Sequence, residues 1–259
     1  MNNKSVKFSI YNHELFIRID QAIKNKNPLS VIRKGDGENV IIGYNVIKGI
    51  KLIKYLRKLR HFNIRRLDIK FQKYFKAELI ISFQNADYLG IAKDYTYSSI
   101  RKFDSDITDY YKLDKKELVD SHFHLEFVKN PNNNDLINPT AQRLISNKKI
   151  GIISHLNISK FLKYHNSDIV AQFSIPKRDA GLFNKMNMSK FKKIVNSIST
   201  VKKDVDVWFL AAGAYAKPFS NYIKHQNGIA IDIGSAIDTW AGEYHSRKYL
   251  RELKEHKSQ

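Results

Sequence analysis

The chain predicts an α/β fold: a Rossmann-like, mostly parallel sheet with helices on both faces, built as a single domain over residues 1–259. Two observations carry that prediction, and a third, the length, permits it. Short apolar runs at 29–32, 150–153, 169–175, 205–210 and 229–233 are bounded by polar or glycine-containing breaks. In the C-terminal half these runs alternate with segments whose apolar residues recur every three or four positions. Parallel strands are buried on both faces, so they read as continuous apolar runs separated by covering helices. A length of 259 residues is enough for one large domain with a substantial core.

Taken in order, Phe16, Ile19 and Ile23 set helical spacing across 8–26, and Asn27-Pro28 ends that helix, because the residue before proline is pushed out of the α region. The first apolar run, 29–32, is a strand. It breaks into Arg33-Lys34-Gly35-Asp36-Gly37-Glu38, and a helix follows from 40 to 59 with Val46, Ile50, Ile53, Leu56 and Leu59 as its apolar stripe. A helix over 69–75 leads into a strand at 78–83, and 85–92 is a polar loop. The stretch 95–111, rich in Tyr, Ser and Asp, reads as a mobile insertion, and 85–135 as a whole as a less regular insertion within the domain. After the Asn-Pro-Asn loop at 130–135 come helix 140–146, strand 150–153, helix 158–164 and strand 169–175. Helix 191–199, strand 205–210, helix 214–225 and strand 229–233 complete the series.

Composition narrows the function. There is no cysteine, so disulfides and thiolate metal sites are excluded. No apolar run approaches the roughly 20 residues that span a bilayer, and the N-terminus lacks the apolar core of a signal peptide. The expected location is cytoplasmic, with peripheral contact at the inner membrane face. The net charge of +20, densest from Lys48 to Lys76, points to an anionic partner. An anionic membrane surface ranks above nucleic acid, since no zinc-finger spacing or aromatic-glycine RNA signature accompanies the charge. A solvated helix face is the plain alternative.

In a parallel sheet, ligands sit beyond the carboxyl ends of the strands. The loops there carry Asp36 and Glu38; Ser154 and His155; Lys177 and Arg178; Gly213 and Lys217; Asp232, Ser235 and Asp238. In an extended or turning backbone, Asp36 and Glu38 at i, i+2 can point at one ligand, suiting a divalent ion that shares oxygen ligands with a diphosphate. A solvated turn accounts for the same residues. His122 and His124, at i, i+2 on an expected strand, have no third ligand at a recognised spacing, which favours an ordinary polar strand face.

Two segments resemble the GT-D fold glycosyltransferases: Val31-Ile32-Arg33-Lys34-Gly35-Asp36-Gly37-Glu38, and the pair Trp208–Pro218 with Ala230–Gly242. The resemblance implies a GT-D-like domain. It places Asp36 and Glu38 on the family's acidic Asp-X-Glu motif, as ligands of a divalent metal, Mn2+ or Mg2+, with no organic cofactor. It implies a nucleoside-diphosphate sugar donor, UDP favoured, bound by Arg33, Gly35, Asp36, Gly37 and Glu38. His155, Gly213, Lys217, Asp232, Gly234, Ser235, Asp238 and Arg247 complete that expected set. The catalytic assignment is Asp36, Glu38 and Asp232, with Asp238 and His155 as further candidate general bases. The acceptor is a bacterial surface glycan, a lipid-linked glycan or a glycoprotein. Lys34, where an aromatic or apolar residue is more usual, and the 243–247 segment depart from the family pattern. The competing functions are a metal-dependent phosphohydrolase or nucleotidyltransferase, and a basic nucleic-acid-binding protein.

Overall fold

A computed structural model describes residues 9–91, 98–130, 137–177, 185–201 and 204–255. Its centre is a seven-stranded sheet in the order β3-β2-β1-β7-β6-β4-β5, where β1 is Leu29–Arg33, β2 Tyr88–Ile91, β3 Glu117–Asp120, β4 Lys149–Ile153, β5 Asp168–Phe173, β6 Val207–Leu210 and β7 Ile229–Asp232. Every neighbouring pair is parallel. Side chains alternate across each strand, which divides the core in two. Val31, Val207, Phe209, Ile229 and Ile231 face one layer, while Ile32, Trp208, Leu210 and Ala230 face the other.

The first layer is covered by α1 (Asn12–Asn25), α6 (Pro139–Ile145), α7 (Ser159–Tyr164), α10 (Ala236–Trp240) and α11 (Lys248–Glu255). The second is covered by α2 (Asp36–Gly43), α3 (Leu52–His61), α4 (Ile69–Asn85), α5 (Ser98–Tyr110), α8 (Met188–Thr200) and α9 (Ala216–His225). This is the expected α/β architecture with both faces covered.

Several local expectations are corrected. The apolar run at 78–83 is no strand but the second half of α4, whose buried residues Phe71, Gln72, Phe75, Leu79, Ser82 and Phe83 keep one helical face. Asp68 starts that helix by accepting a hydrogen bond from the Phe71 amide at 3.1 Å. Ile81 lies on its outer side, 42% exposed, which a central strand would not allow. The strand is instead β2, in the stretch expected to be a loop; four buried residues are too few to display a period.

The single helix expected over 40–59 is two. α2 starts at Asp36 and ends at Gly43, and Asn45 and Gly49 take positive φ before α3 begins. Ile50 and Leu59 are buried as expected, but Ile53 is 67% exposed. Within the expected mobile stretch 95–111, α5 packs Ile107 into the core. The 85–135 region thereby contributes β2, α5 and β3 to the sheet and its cover, while residues 92–97 and 131–136 lie outside the described ones. His122 and His124 fall in a 3-10 segment, Ser121–Phe127, that follows β3.

The order of strands positions the site. β1 and β7 are adjacent, yet the chain leaves β1 into α2 on one face and leaves β7 into α10 on the other. Connections that part in this way open a crevice at the carboxyl ends of the two strands.

Candidate functional site

That crevice is a cleft of about 860 Å³. Every residue of the expected site except Asp232 lines it: the 33–38 segment contributes Arg33, Gly35, Asp36, Gly37 and Glu38, the far loops Gly213, Lys217, Gly234, Ser235 and Asp238, and the rims His155 and Arg247. Lys177 also lines it, whereas Arg178 lies outside the described residues.

At its floor four charged side chains from distant parts of the chain meet. Arg33 ends β1, Asp232 ends β7, Glu38 lies in the first turn of α2 and Lys217 in the first turn of α9. Lys217 Nζ is 2.8 Å from Glu38 Oε1 and 2.9 Å from Asp232 Oδ2, and it donates to the Gly213 carbonyl at 3.1 Å. Arg33 Nη2 is 3.3 Å from Asp232 Oδ1.

Burial would push the Lys217 ammonium down, but Asp232 and Glu38 outweigh it and raise it. Burial would likewise push the Asp232 carboxyl up, but Arg33 and Lys217 hold it below its usual range. Both therefore stay charged, as a desolvated, mutually neutralising cluster. The Arg33 Nε hydrogen and Asp232 Oδ2 still lack a well-aligned hydrogen-bond partner, although Oδ2 stands in the ion pair with Lys217.

Two glycines make this packing feasible. A Cβ on Gly234 would stand 1.8 Å from Arg33 Nη2, and the residue has φ +48°. Gly213, at φ +56°, turns the chain from β6 so that its carbonyl reaches Lys217. Gly35 and Gly37 serve by space instead: a Cβ would lie 2.8 Å from Glu38 Oε2 at the first and 2.5 Å from the Phe62 ring at the second.

Asp36 and Glu38 sit at i, i+2 of a helical turn, which puts them on different sides of the helix rather than toward one point. Each already faces an ammonium: Lys58 Nζ is 2.6 Å from Asp36 Oδ2, and Lys217 holds Glu38. Among the described residues no group of three or more His, Asp or Glu side chains is placed to hold a metal. As arranged, the pair does not fit a shared divalent ion. The first turn of α2 has no side-chain cap, so its amide groups are open to an anion.

Lys34 turns away from the cleft floor into a buried pair with Asp104 of α5, at 2.6 Å, and donates to Thr108 Oγ1 at 2.7 Å. Burial lowers its ammonium despite Asp104. Asn39 donates to the same carboxylate at 2.6 Å, so α5 braces the 33–39 turn.

Across the cleft, Ser235 and Tyr249 share a hydrogen bond at 2.9 Å, and Ser246 donates to Asp238 Oδ2. Burial pushes the Asp238 carboxyl up, with Ser246, Arg247 and His155 only partly opposing. Asp232, by contrast, is fully buried and forms no part of the cleft wall.

Sequence reasoning missed Phe62, Asn63 and Tyr215, which line the cleft from the end of α3 and the start of α9. Tyr215 donates to the Phe62 carbonyl at 2.5 Å, and burial raises its hydroxyl so that it keeps that proton. His124 also lines the cleft; burial and then Arg33 hold it well below its usual value, so it is neutral beside the Ser121 carbonyl at 2.9 Å. His122 instead leans on Asp120, 3.0 Å away.

A parallel sheet with its ligand crevice at the switch point is the architecture of Rossmann-like proteins that handle nucleotides. A family model described as a GT-D fold-like domain matches residues 10–240, and the chain belongs to that family. Among curated proteins none matches.

Solved structures share the fold. One is described as a highly conserved domain of unknown function 1792 with a distinct glycosyltransferase fold (12% identity, 91% of this chain and 86% of that one, TM-score 0.52). Another is a glycosyltransferase of the same domain type from Streptococcus sanguinis (15%, 90% and 86%, TM-score 0.52). A third, a selenomethionine-substituted domain of that type, matches at 12% over 92% of each chain, TM-score 0.51.

Proposed function

We propose that this chain is a glycosyltransferase that moves a sugar from a nucleoside-diphosphate sugar, UDP-sugars favoured, to a hydroxyl of a surface glycan, a lipid-linked glycan or a glycoprotein. The observation that carries the reading is the cleft at the β1–β7 switch point, floored by Arg33 and Lys217, in a chain of the GT-D-like family.

Transfer breaks the bond between the sugar's anomeric carbon and the diphosphate oxygen, which leaves with the electron pair. Charge therefore grows on the diphosphate, and preorganised cations and amides lower its energy without reorganising. Arg33, fixed by Asp232, and the open amides of α2 supply that field. Asp232 is a positioning residue here, since it touches the two cations rather than the cleft. The acceptor hydroxyl forms the new bond and gives its proton to a base. Asp238 suits that role best, because it lines the cleft and its raised affinity for protons makes it the stronger base.

The family resemblance implies a divalent ion at Asp36 and Glu38. Sharing one there would require the two carboxylates, each beside an ammonium, to turn toward one point, so dependence on Mn2+ is a variable of the test. The test is incubation with a panel of nucleotide sugars, with and without Mn2+, reading release of nucleoside diphosphate. Donor-dependent release, with thermal stabilisation by UDP or GDP, is the expected result. Absence of release and of nucleotide stabilisation under both conditions would overturn the proposal.

A further inference from the structure

The segment from residue 46 to 77 holds eleven Lys and Arg side chains and a single acid, Asp68, which is spent on capping α4. The same segment exposes aliphatic side chains: Ile53 is 67% and Leu67 95% exposed, and Leu52 and Ile69 are 53% exposed each. On α3 the spacing of Ile53, Arg57 and Arg60 sets them on one outward stripe opposite the buried Tyr55 and Leu59. The turn that carries Leu67 is tied to that helix: Gln72 accepts from Tyr55 at 3.0 Å and donates to the carbonyls of Arg65 and Arg66 at 2.9 and 2.8 Å.

We propose that α3 and the 65–70 turn form a docking surface for an anionic lipid bilayer. Cations attract the headgroups, and exposed aliphatic side chains reach the boundary between headgroup and acyl chain. Nucleic acid would use the charge but has no use for Ile53 or Leu67, and none of the aromatic side chains of this segment is exposed as a platform for bases: Tyr55, Phe71 and Phe75 are buried, and His61, Phe62 and Tyr74 half-buried.

Docking also bears on the reaction. Lys58 of α3 holds Asp36, and Phe62 and Asn63 just beyond the helix line the cleft. A bilayer on this surface would lie beside the cleft mouth and favour a lipid-linked acceptor; this consequence rests on the glycosyltransferase reading, whereas the docking itself does not.

The experiment is sedimentation of the full chain with vesicles of phosphatidylcholine alone or mixed with phosphatidylglycerol. Binding is expected only to the mixed vesicles. Arg57→Glu with Arg60→Glu should weaken it by at least about thirty-fold, given the attraction per cation near such a surface. Ile53→Ser with Leu67→Ser leaves the charge unchanged and should weaken it about ten-fold. Lys192→Glu with Lys193→Glu on exposed positions of α8 makes the same charge change and should stay within about two-fold, because salt screens distant charges.

Equal loss in the α8 pair, or no loss in the serine pair, overturns the proposal. Nucleotide release measured without vesicles separates the two ideas: lost vesicle binding with intact release refutes docking alone, and intact docking without release refutes the glycosyltransferase alone.

Discussion

Replacing Lys217 by methionine probes the centre of the cleft. Methionine keeps most of the side-chain volume, so the main change is electrostatic. Glu38 loses the Lys217 ammonium that faces it at 2.8 Å, and Asp232 keeps Arg33 but loses Lys217. Removing one member of a buried ion pair costs about 3–5 kcal/mol, mostly because the remaining charge stays desolvated. For a chain of this size that corresponds to a fall in Tm of roughly 6–10 °C.

The pH dependence follows from the shifted groups. The Asp232 carboxyl is lowered in the folded chain, so its contribution is present above the unfolded value near 3.8 and is lost as pH falls through the folded one. Lys217 is raised, so its contribution is complete below the unfolded value near 10.5 and is lost as pH rises through the folded one. In the variant, burial of the two carboxylates is less well opposed, and acid neutralises them. Destabilisation should therefore be largest near neutral pH and shrink toward pH 4.

Urea unfolding across pH, with a cycle through Glu38→Gln, measures this. The double variant should recover a large part of the loss. A Lys217→Met variant that loses less than about 1 kcal/mol, or a Glu38→Gln effect that simply adds, would refute the coupled cluster.

Gly234→Ala places a methyl group where Arg33 Nη2 now lies, at positive φ. It should cost about 1–2 kcal/mol of stability and weaken nucleotide binding by more than that through displaced Arg33, as read by calorimetry. Asp238→Asn should lower kcat by about 10²–10⁴-fold with little change in Tm, and should abolish the acid limb of the pH–rate profile, since the wild-type carboxyl works only after losing its raised proton. Because Lys58 and Lys217 already face Asp36 and Glu38, UDP should bind measurably in EDTA; titration with Mn2+ that raises affinity only while Asp36 and Glu38 are both present would show that the pair turns toward one ion.

The central strands were legible because burial on both faces forces apolar composition: β1, β4, β6 and β7 fall where their runs of Val, Ile, Leu and Phe predicted them. The loops at their carboxyl ends followed from the parallel order alone, which is why the cleft is lined by the expected residues. Short apolar segments were ambiguous. Leu79-Ile80-Ile81 suits a strand locally, and only the packing of Phe75, Leu79 and Phe83 against the sheet makes it helical.

Asp36 and Glu38 illustrate the division most directly. Their sequence determined that two carboxylates would stand at the end of the first strand, beside glycines small enough for close packing. Tertiary structure decided what faces them. The helix begins at Asp36 and turns the pair apart, Lys58 arrives from α3, and Lys217 comes from the other end of the chain. It also separated Asp232 from Asp238, of which the sequence favours Asp232 as the catalytic carboxylate. The first is sealed between Arg33 and Lys217, and the second is left at the cleft with its proton affinity raised by burial. Partners so far apart in sequence are chosen by which strands lie side by side, and no local pattern encodes that neighbour.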